Sequence, residues 1–463
     1  ITFKNGTICL AEDNLIPERI PNTNMYTNIR RIIQDYATLT LLDMTIDATN
    51  MFGNDMPMSF NNEPVHISGN TSVILRSGMR AAFDADGNWQ DYGRCTVTLD
   101  TTGTINGYIE LGSGYLDIKN VNATGVRFCQ LCGSEETTGQ AERLSISGGT
   151  FSDVSVLNYL ASGANVTVKL AADTKADVVI PADTTVTLDL NGKTLTNVSG
   201  DTITNNGNLT ITGNGTVDNI SNARAAVKNN VGGTVTIENG TFCRSAEASI
   251  DASNGGGNSY YVIDNQGTMT VKDGTFLFSE TNSGKFSSLI HNGWYDGNQN
   301  NTKAEASLTI QGGDFTKAQG GLITVKNDDY GNLTITGGTF TQPVDNYYCI
   351  FNYHKANISG GTINGTVGCG GDASREADIG SLTIGGTVSV NGKVRKNTSL
   401  GNPNISVTGG TFTEEVDKEL LADSINAVLV TDDGGKTSYT YFASMDEAIQ
   451  AAEGTEGSVS NPK

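Results

Sequence analysis

The octapeptide LTITGGTF, Leu333 to Phe340, recurs along the chain as LSISGGTF, VTIENGTF, MTVKDGTF, LTIQGGDF and ISVTGGTF. Taking the glycine before the Thr or Asp of each copy gives Gly215, Gly240, Gly274, Gly313, Gly338, Gly361, Gly386 and Gly410, spaced by 25, 34, 39, 25, 23, 25 and 24 residues. A base period near 24 with two long outliers means one coil per repeat and two coils with insertions. Within a copy, Leu and β-branched residues alternate with Thr, the period of a strand with one buried face. Such a strand cannot bury its inner face alone. Stacked coils can, each hydrogen-bonded to the next, with the inner residues forming a column and the glycines turning the corner. The pattern predicts an all-β fold, a single-stranded parallel β-helix of about fifteen coils, on the order of 70 Å long at strand spacing.

Two columns fix the expected register. Phe151, Phe242, Phe276, Phe315, Phe340 and Phe412 hold equivalent positions and are expected to form an internal aromatic stack. The triplets Ile203 to Asn205, Val227 to Asn229, Ile263 to Asn265, Ile290 to Asn292 and Ile350 to Asn352 place asparagines at stacked corners, where an amide can bond to the Asn above and below. Aligned on Ile323, the intervening coil puts Val325 at the Asn position and breaks this series. Upstream, Leu41, Ile67, Leu99, Ile118, Ile146, Val168 and Leu188 continue the strand-end series towards Ile211. Asn28 to Tyr36 reads as a short helix or irregular cap.

These signals divide the chain into residues 1–27, a cap or preceding-unit segment; 28–415, the β-helix, less regular to about 145 and regular from about 185; and 416–463, an appendage. In the appendage a short helix precedes a hairpin turning at Asp433-Gly434-Gly435, Ser444 caps a helix over SMDEAIQAA with Glu447 at the capping-box position, and EGTEGSVSNPK reads as a flexible end.

With 29 basic and 50 acidic residues, the net charge of -21 argues against nucleic acid and anionic lipid as partners. A composition of 56 Gly, 8 Pro and 17% charged residues is that of an ordered, turn-rich β protein. No apolar run is long enough to span a bilayer and no signal peptide is visible, so direct membrane insertion is not expected; the start at Ile1 without Met reads as an excised or mature fragment. The seven Cys form no disulfide framework and read mostly as buried thiols. Cys129 and Cys132 make a lone C-x-x-C with no second ligand pair for zinc, and with only His66, His291 and His354 a nucleophile triad has little to draw on. No cofactor is implied; the acidic excess is expected to bind Ca²⁺ weakly at most, without the dense ligand spacing and base of a lyase.

The phrases TVTLDLNGKTLT, NGNLTITGNGTV and ISGGTFSDVSVLNYLASG, with YFASMDEAIQAA near the end, resemble repetitive bacterial cell-surface proteins of the adhesin-like kind. That resemblance, covering roughly residues 28 to 452, implies a pectin-lyase-like right-handed parallel β-helix, secreted or attached to the cell surface. It implies scaffold rather than activity.

Function must therefore come from departures from the repeat. The long spacings place polar insertions after Phe242 and Phe276, including Asp251 to Tyr260 and Trp294 to Lys303, and insertions in solenoids map to one face. Trp294, Tyr295, Asp296, Asn298, Tyr330 and His354 are the candidate ligand-binding residues, a platform for sugar faces with polar groups for hydroxyls. Nearby Tyr261 and Tyr348 have inward parity and are equally readable as core. The alternative is enzymatic. Alignment on Ile290, Ile323 and Ile350 brings Asp296, Asp328, Asp329 and His354 to consecutive coils, an order similar to the Asp, Asp-Asp, His progression of polygalacturonases, whose chemistry needs two carboxylates flanking a water. No Gly flanks His354 and no Arg-x-Lys follows it. The reading favoured is a non-catalytic stalk or display scaffold binding an extracellular glycan or host surface protein, with a glycoside hydrolase or a bare spacer as the alternatives.

Overall fold

The computed structural model describes residues 1–10, 31–35, 37–51, 55–61, 63–86, 94–129, 138–221, 223–245, 260–278, 288–295, 300–316, 323–344, 347–371 and 379–462. It is a parallel β-helix solenoid. The chain divides into two compact units, residues 1–171 with 181–189, and residues 172–180 with 190–463.

In the second unit each regular coil contributes one strand to each of three sheets. Leu209 and Ile211 face Val235 and Ile237, which face Met269 and Val271, then Leu308 and Ile310, Leu333 and Ile335, Ala356 and Ile358, Leu382 and Ile384, and finally Ile405 and Val407. All these residues are buried. The alternation seen in sequence is thus the inner wall of one sheet, as the pleat requires. The corner glycines are obligatory for two reasons. Gly361 has φ +91°, and a Cβ there would lie 2.7 Å from the carbonyl oxygen of Gly338 one coil earlier.

On the second sheet Phe242, Phe276, Phe315 and Phe340 are in register and stack with ring centroids 5.0, 4.6 and 4.7 Å apart. The expected column of six is therefore four. Phe340 is followed by Ile363 and Val390 before Phe412, and Phe151 lies in the first unit, between Ala123 and Val168.

The third sheet carries the asparagines, and its ladder is unbroken. Val325, not Ile323, aligns with Ile290 and Ile350, so Asn327 fills the gap. Asn205, Asn229, Asn265, Asn292, Asn327 and Asn352 are each fully buried, and each Nδ2 donates to the next Oδ1 at 2.7–2.8 Å. Asn352 ends the series on the Sγ of Cys369, at 3.3 Å.

In the first unit the register expected upstream holds from Leu41 through Ile67, Leu99 and Ile118 to Ile146. It slips once. Extra residues of strand Leu160–Lys169 between Leu160 and Asn165 bulge, so that Ile146 faces Leu160 while Phe151 faces Val168. The solenoid also starts earlier than residue 28, because strand Thr2–Cys9 pairs in parallel with Leu39–Asp47, and Ile33–Asp35 is a strand paired with Met58–Phe60 rather than part of a helix.

At the C-terminal end, strands Ala427–Asp433 and Lys436–Phe442 form the hairpin turning at Gly434-Gly435, and Tyr439 to Tyr441 pair antiparallel with Gly410–Phe412. Tyr441 sets its edge on the Phe412 ring at 5.7 Å, closing the apolar column. Helix Met445–Ala452 starts at Ser444, whose Oγ accepts from the Glu447 N–H. The helix expected before the hairpin is one 3-10 turn, Lys418–Leu420. The tail expected to be flexible contains strand Gly457–Ser460, which pairs with Val428 to Thr431.

Candidate functional site

The middle residue of each Ile-x-Asn triplet points away from the core, so the outer face of the third sheet is written in those middle positions. In consecutive coils of the second unit it reads Asp264, His291, Lys326, Phe351, Gly368 and Arg395. This row carries the most concentrated chemistry of the described residues, and only its register reveals it.

His291 Nδ1 lies 2.7 Å from Asp264 Oδ1, and its Nε2 lies 3.4 Å from Asp328 Oδ2. Lys326 Nζ sits 2.5 Å from that same Asp328 oxygen. Tyr261 stacks on the imidazole with centroids 4.2 Å apart, which completes its burial. Burial alone would depress the His291 pKa, but the hydrogen bond to Asp264 and the charges of Asp264 and Asp328 outweigh it and raise the pKa. Asp328 is held below its ordinary value despite the opposing effect of burial, because Lys326 and His291 face it. Two acids and two bases thus form a compact network, in which His291 Nδ1 is hydrogen-bonded to Asp264 while Nε2 faces Asp328 at ion-pair distance without a hydrogen bond.

The sequence-derived candidates collect around this network. Asp329 and Trp294 are bridged, the Trp294 N–H donating to the Asp329 carbonyl oxygen at 2.9 Å. Trp294 is half-buried, and its indole N–H donates to the Ala304 oxygen at 3.3 Å. Tyr295 is 69% exposed, with the Lys326 ammonium 4.8 Å from its ring centroid. Tyr353 takes the same ammonium at 5.4 Å, and burial, followed by the charges of Asp328 and Asp329, raises its phenol pKa. Tyr330 stands 6.1 Å from the His354 ring. Asp296 and Asn298, and the loop 251–259, lie outside the described residues.

The grouping expected of a hydrolase is corrected in its geometry. With Val325 as the aligned residue, Trp294, Asp329 and His354 share one level, and Asp328 turns back onto His291 and Lys326. Asp328, Asp329 and His354 are 3, 2 and 9% exposed, so among the described residues these positions present no open pair of carboxylates to a water between them. Tyr261 is buried core, 8% exposed and stacked on His291, whereas Tyr348 is half-buried and packs on Phe351 at 4.5 Å on the outer face.

A second acidic group lies in the first unit and was not legible in the sequence. Asp84 is paired in register with Ser59 and Glu110. Burial pushes the Asp84 carboxyl up to about 6 and also raises Glu110, whose carboxylate holds Arg80 Nη2 at 2.6 Å. Cys95 nearby is pushed up to about 12 by burial and by the charges of Asp35, Asp84 and Asp86, so its thiol is inert at neutral pH. Cys95, Cys243, Cys349 and Cys369 are buried free thiols and Cys9 an exposed one, as the sequence suggested for most, whereas Cys129 is disulfide-bonded; Cys132 lies outside the described residues.

Among the described residues, no group of three or more His, Cys, Asp or Glu is placed to hold a metal ion, and no helix is long and apolar enough to cross a membrane. Comparison of the chain with protein-family models, with curated proteins and with solved structures gives no match.

Proposed function

We propose that this chain is a non-catalytic display scaffold of a secreted or cell-surface protein, adhesin-like, that binds an extracellular glycan or host surface protein through its inserted loops. The observation that carries this reading is the exposed Tyr295 ring set over Lys326 and beside Trp294, at the point where the long coils interrupt the repeat. An exposed aromatic above a rigid polar base suits stacking on a sugar face or an apolar side chain, with little conformational entropy to lose. The base is rigid because the asparagine ladder and the His291 network fix it from beneath. Its acids are already committed to His291 and Lys326, which leaves the outer surface for recognition rather than proton transfer. The disulfide at Cys129 and the net charge of -21 suit an oxidising, extracellular setting. Coils locked in register would hold such sites at fixed intervals, so that weak contacts add by multivalency.

The test is a glycan and host-protein array probed with the wild-type chain and with Tyr295→Ala. Binding that disappears in the variant supports the reading. Binding unchanged by the variant, or no binding to any arrayed ligand, contradicts it.

A further inference from the structure

The outer row that passes Asp264 and Lys326 ends at Arg395, three strand spacings or about 14 Å beyond Lys326 along the sheet. There the surface dips into a polar cleft of about 320 Å³ at the corner between the phenylalanine-bearing sheet and the asparagine-bearing sheet. Corner length makes the dip. The corner from Thr341 to Tyr348 is long, whereas Gly365 alone joins Asn364 to Thr366 in the next coil. In the coil after that, Gly392 packs so closely that a Cβ would lie 2.4 Å from the Gly365 oxygen. The back wall is held by Asn391 Nδ2 donating to Asn364 Oδ1 at 2.7 Å, and by Asn364 Nδ2 donating to Thr341 Oγ1 at 3.3 Å.

Lys393 and Arg395 both line this cleft, on either side of the buried Val394 at the start of strand Val394–Lys396. Both are exposed, and among the described residues neither forms an ion pair. In a chain with 29 basic and 50 acidic residues, two adjacent cations facing a concave polar surface without a carboxylate bound to either are a departure from the background. Lys326, in the same row, is by contrast already neutralised by Asp328. The surface between is aromatic: Tyr348 and Tyr353 flank Phe351 at 4.5 and 4.7 Å, over Gly368, where a Cβ would lie 2.3 Å from Tyr348 Cε1.

We infer that the cleft is an anion subsite for an acidic sugar, a carboxylate- or sulfate-bearing residue of the same glycan that reaches Tyr295. Lys393 and Arg395 take the anion by charge-assisted hydrogen bonds. Gln342, Asn391 and the Glu414 carboxylate, which also line the cleft, are the partners for its hydroxyls. The inference rests on the glycan reading above and adds to it the class of ligand and the direction in which the ligand lies, along the coil axis.

The experiment compares matched neutral, carboxylated and sulfated oligosaccharides (lactose, sialyllactose and sulfolactose, and neutral and uronate-containing trisaccharides) on the wild-type chain and on the Lys393→Ala/Arg395→Ala double variant. The acidic members should bind about 10- to 100-fold more tightly than their neutral partners, as expected for one or two hydrogen bonds to a charged group. That preference should shrink with added salt and vanish in the double variant, and Glu414→Gln should enlarge it by removing a like charge. Carboxylate and sulfate arms that differ identify the anion. Equal binding of neutral and acidic members through Tyr295, or a preference that survives the double variant, overturns the subsite while leaving the glycan reading intact. A chain that binds no sugar at all overturns both.

Discussion

Replacing Asn292 by Ala severs the asparagine ladder at its centre. Its Oδ1 accepts from Asn265 Nδ2 at 2.7 Å, and its Nδ2 donates to Asn327 Oδ1 at 2.7 Å and to the Asn332 oxygen at 3.1 Å. Asn265 Nδ2 keeps the Gly267 and Ser307 oxygens and is the less affected side. Asn327 Oδ1 loses the donor that satisfied it from within the ladder. Two net hydrogen bonds at about 1 kcal/mol each, plus about 2 kcal/mol for a buried acceptor left without that donor, give a loss of about 4 kcal/mol. Asn205, at the start of the ladder, donates to Asn229 but accepts from no preceding Asn, so Asn205→Ala loses one ladder bond fewer while still orphaning the Asn229 acceptor, and should cost about 3 kcal/mol. Solenoids unfold by neighbouring coils rather than in one step, so amide hydrogen exchange resolved to the coils on each side is the suitable assay, beside a denaturant melt. Faster exchange concentrated in the coils of Asn265 and Asn327 is expected. Equal, small losses at Asn292 and Asn205, below about 1 kcal/mol, would refute the claim that the ladder acts as a continuous hydrogen-bonded column.

Three further outcomes follow from the same geometry. Because the folded pKa of His291 lies above its ordinary 6.5, its contribution is complete below that value and is lost as pH rises through the raised one; an NMR titration should find the ring titrating above 6.5, and His291→Gln should abolish the alkaline loosening of its coil. Asp84 has the same sign for stability against pH but acts in a more acidic interval: with its carboxyl raised from 3.8 to about 6, the folded state is penalised as pH rises through that interval, so Asp84→Asn should stabilise the chain by about 3 kcal/mol at pH 7 and by little at pH 4, measured by denaturant midpoint. Gly368→Ala should cost about 1–3 kcal/mol and displace the Tyr348 and Phe351 rings, seen as a change in near-ultraviolet circular dichroism, whereas an unchanged spectrum and melt would mean that the rings do not rest on that glycine.

The fold was legible because its strongest signals are periodic and local. The Leu-x-Ile alternation and the Gly-Thr-Phe corner each occupy a few adjacent residues, and their recurrence gave the coil register as far upstream as Leu41. The candidate face was less legible for a reason built into strands. Choosing Ile323 instead of Val325 shifts a coil by two residues, and since side chains alternate with period two, such a slip keeps every residue on its face and violates no pattern. It nevertheless moved Asp328 and Asp329 to the wrong level and hid Lys326 beside His291. The aligned Asn327 was the signal that would have corrected it, because only the Val325 register continues the ladder. Asp264 beside His291 follows once the middle positions of the aligned Ile263 and Ile290 triplets are read outward, whereas Asp84 with Glu110 lies in the less regular early coils, where no triplet marks the register. Trp294 and Tyr295 were legible because they sit where an insertion interrupts the repeat.

The central claim is recognition without turnover, and the most direct measurement is a reducing-end assay on every glycan that the chain binds, run with wild type, Tyr295→Ala and Asp329→Asn. The account predicts binding lost in the Tyr295 variant and no released sugar with any of the three proteins. Released sugar from wild type that disappears in Asp329→Asn would contradict it and identify the chain as a hydrolase.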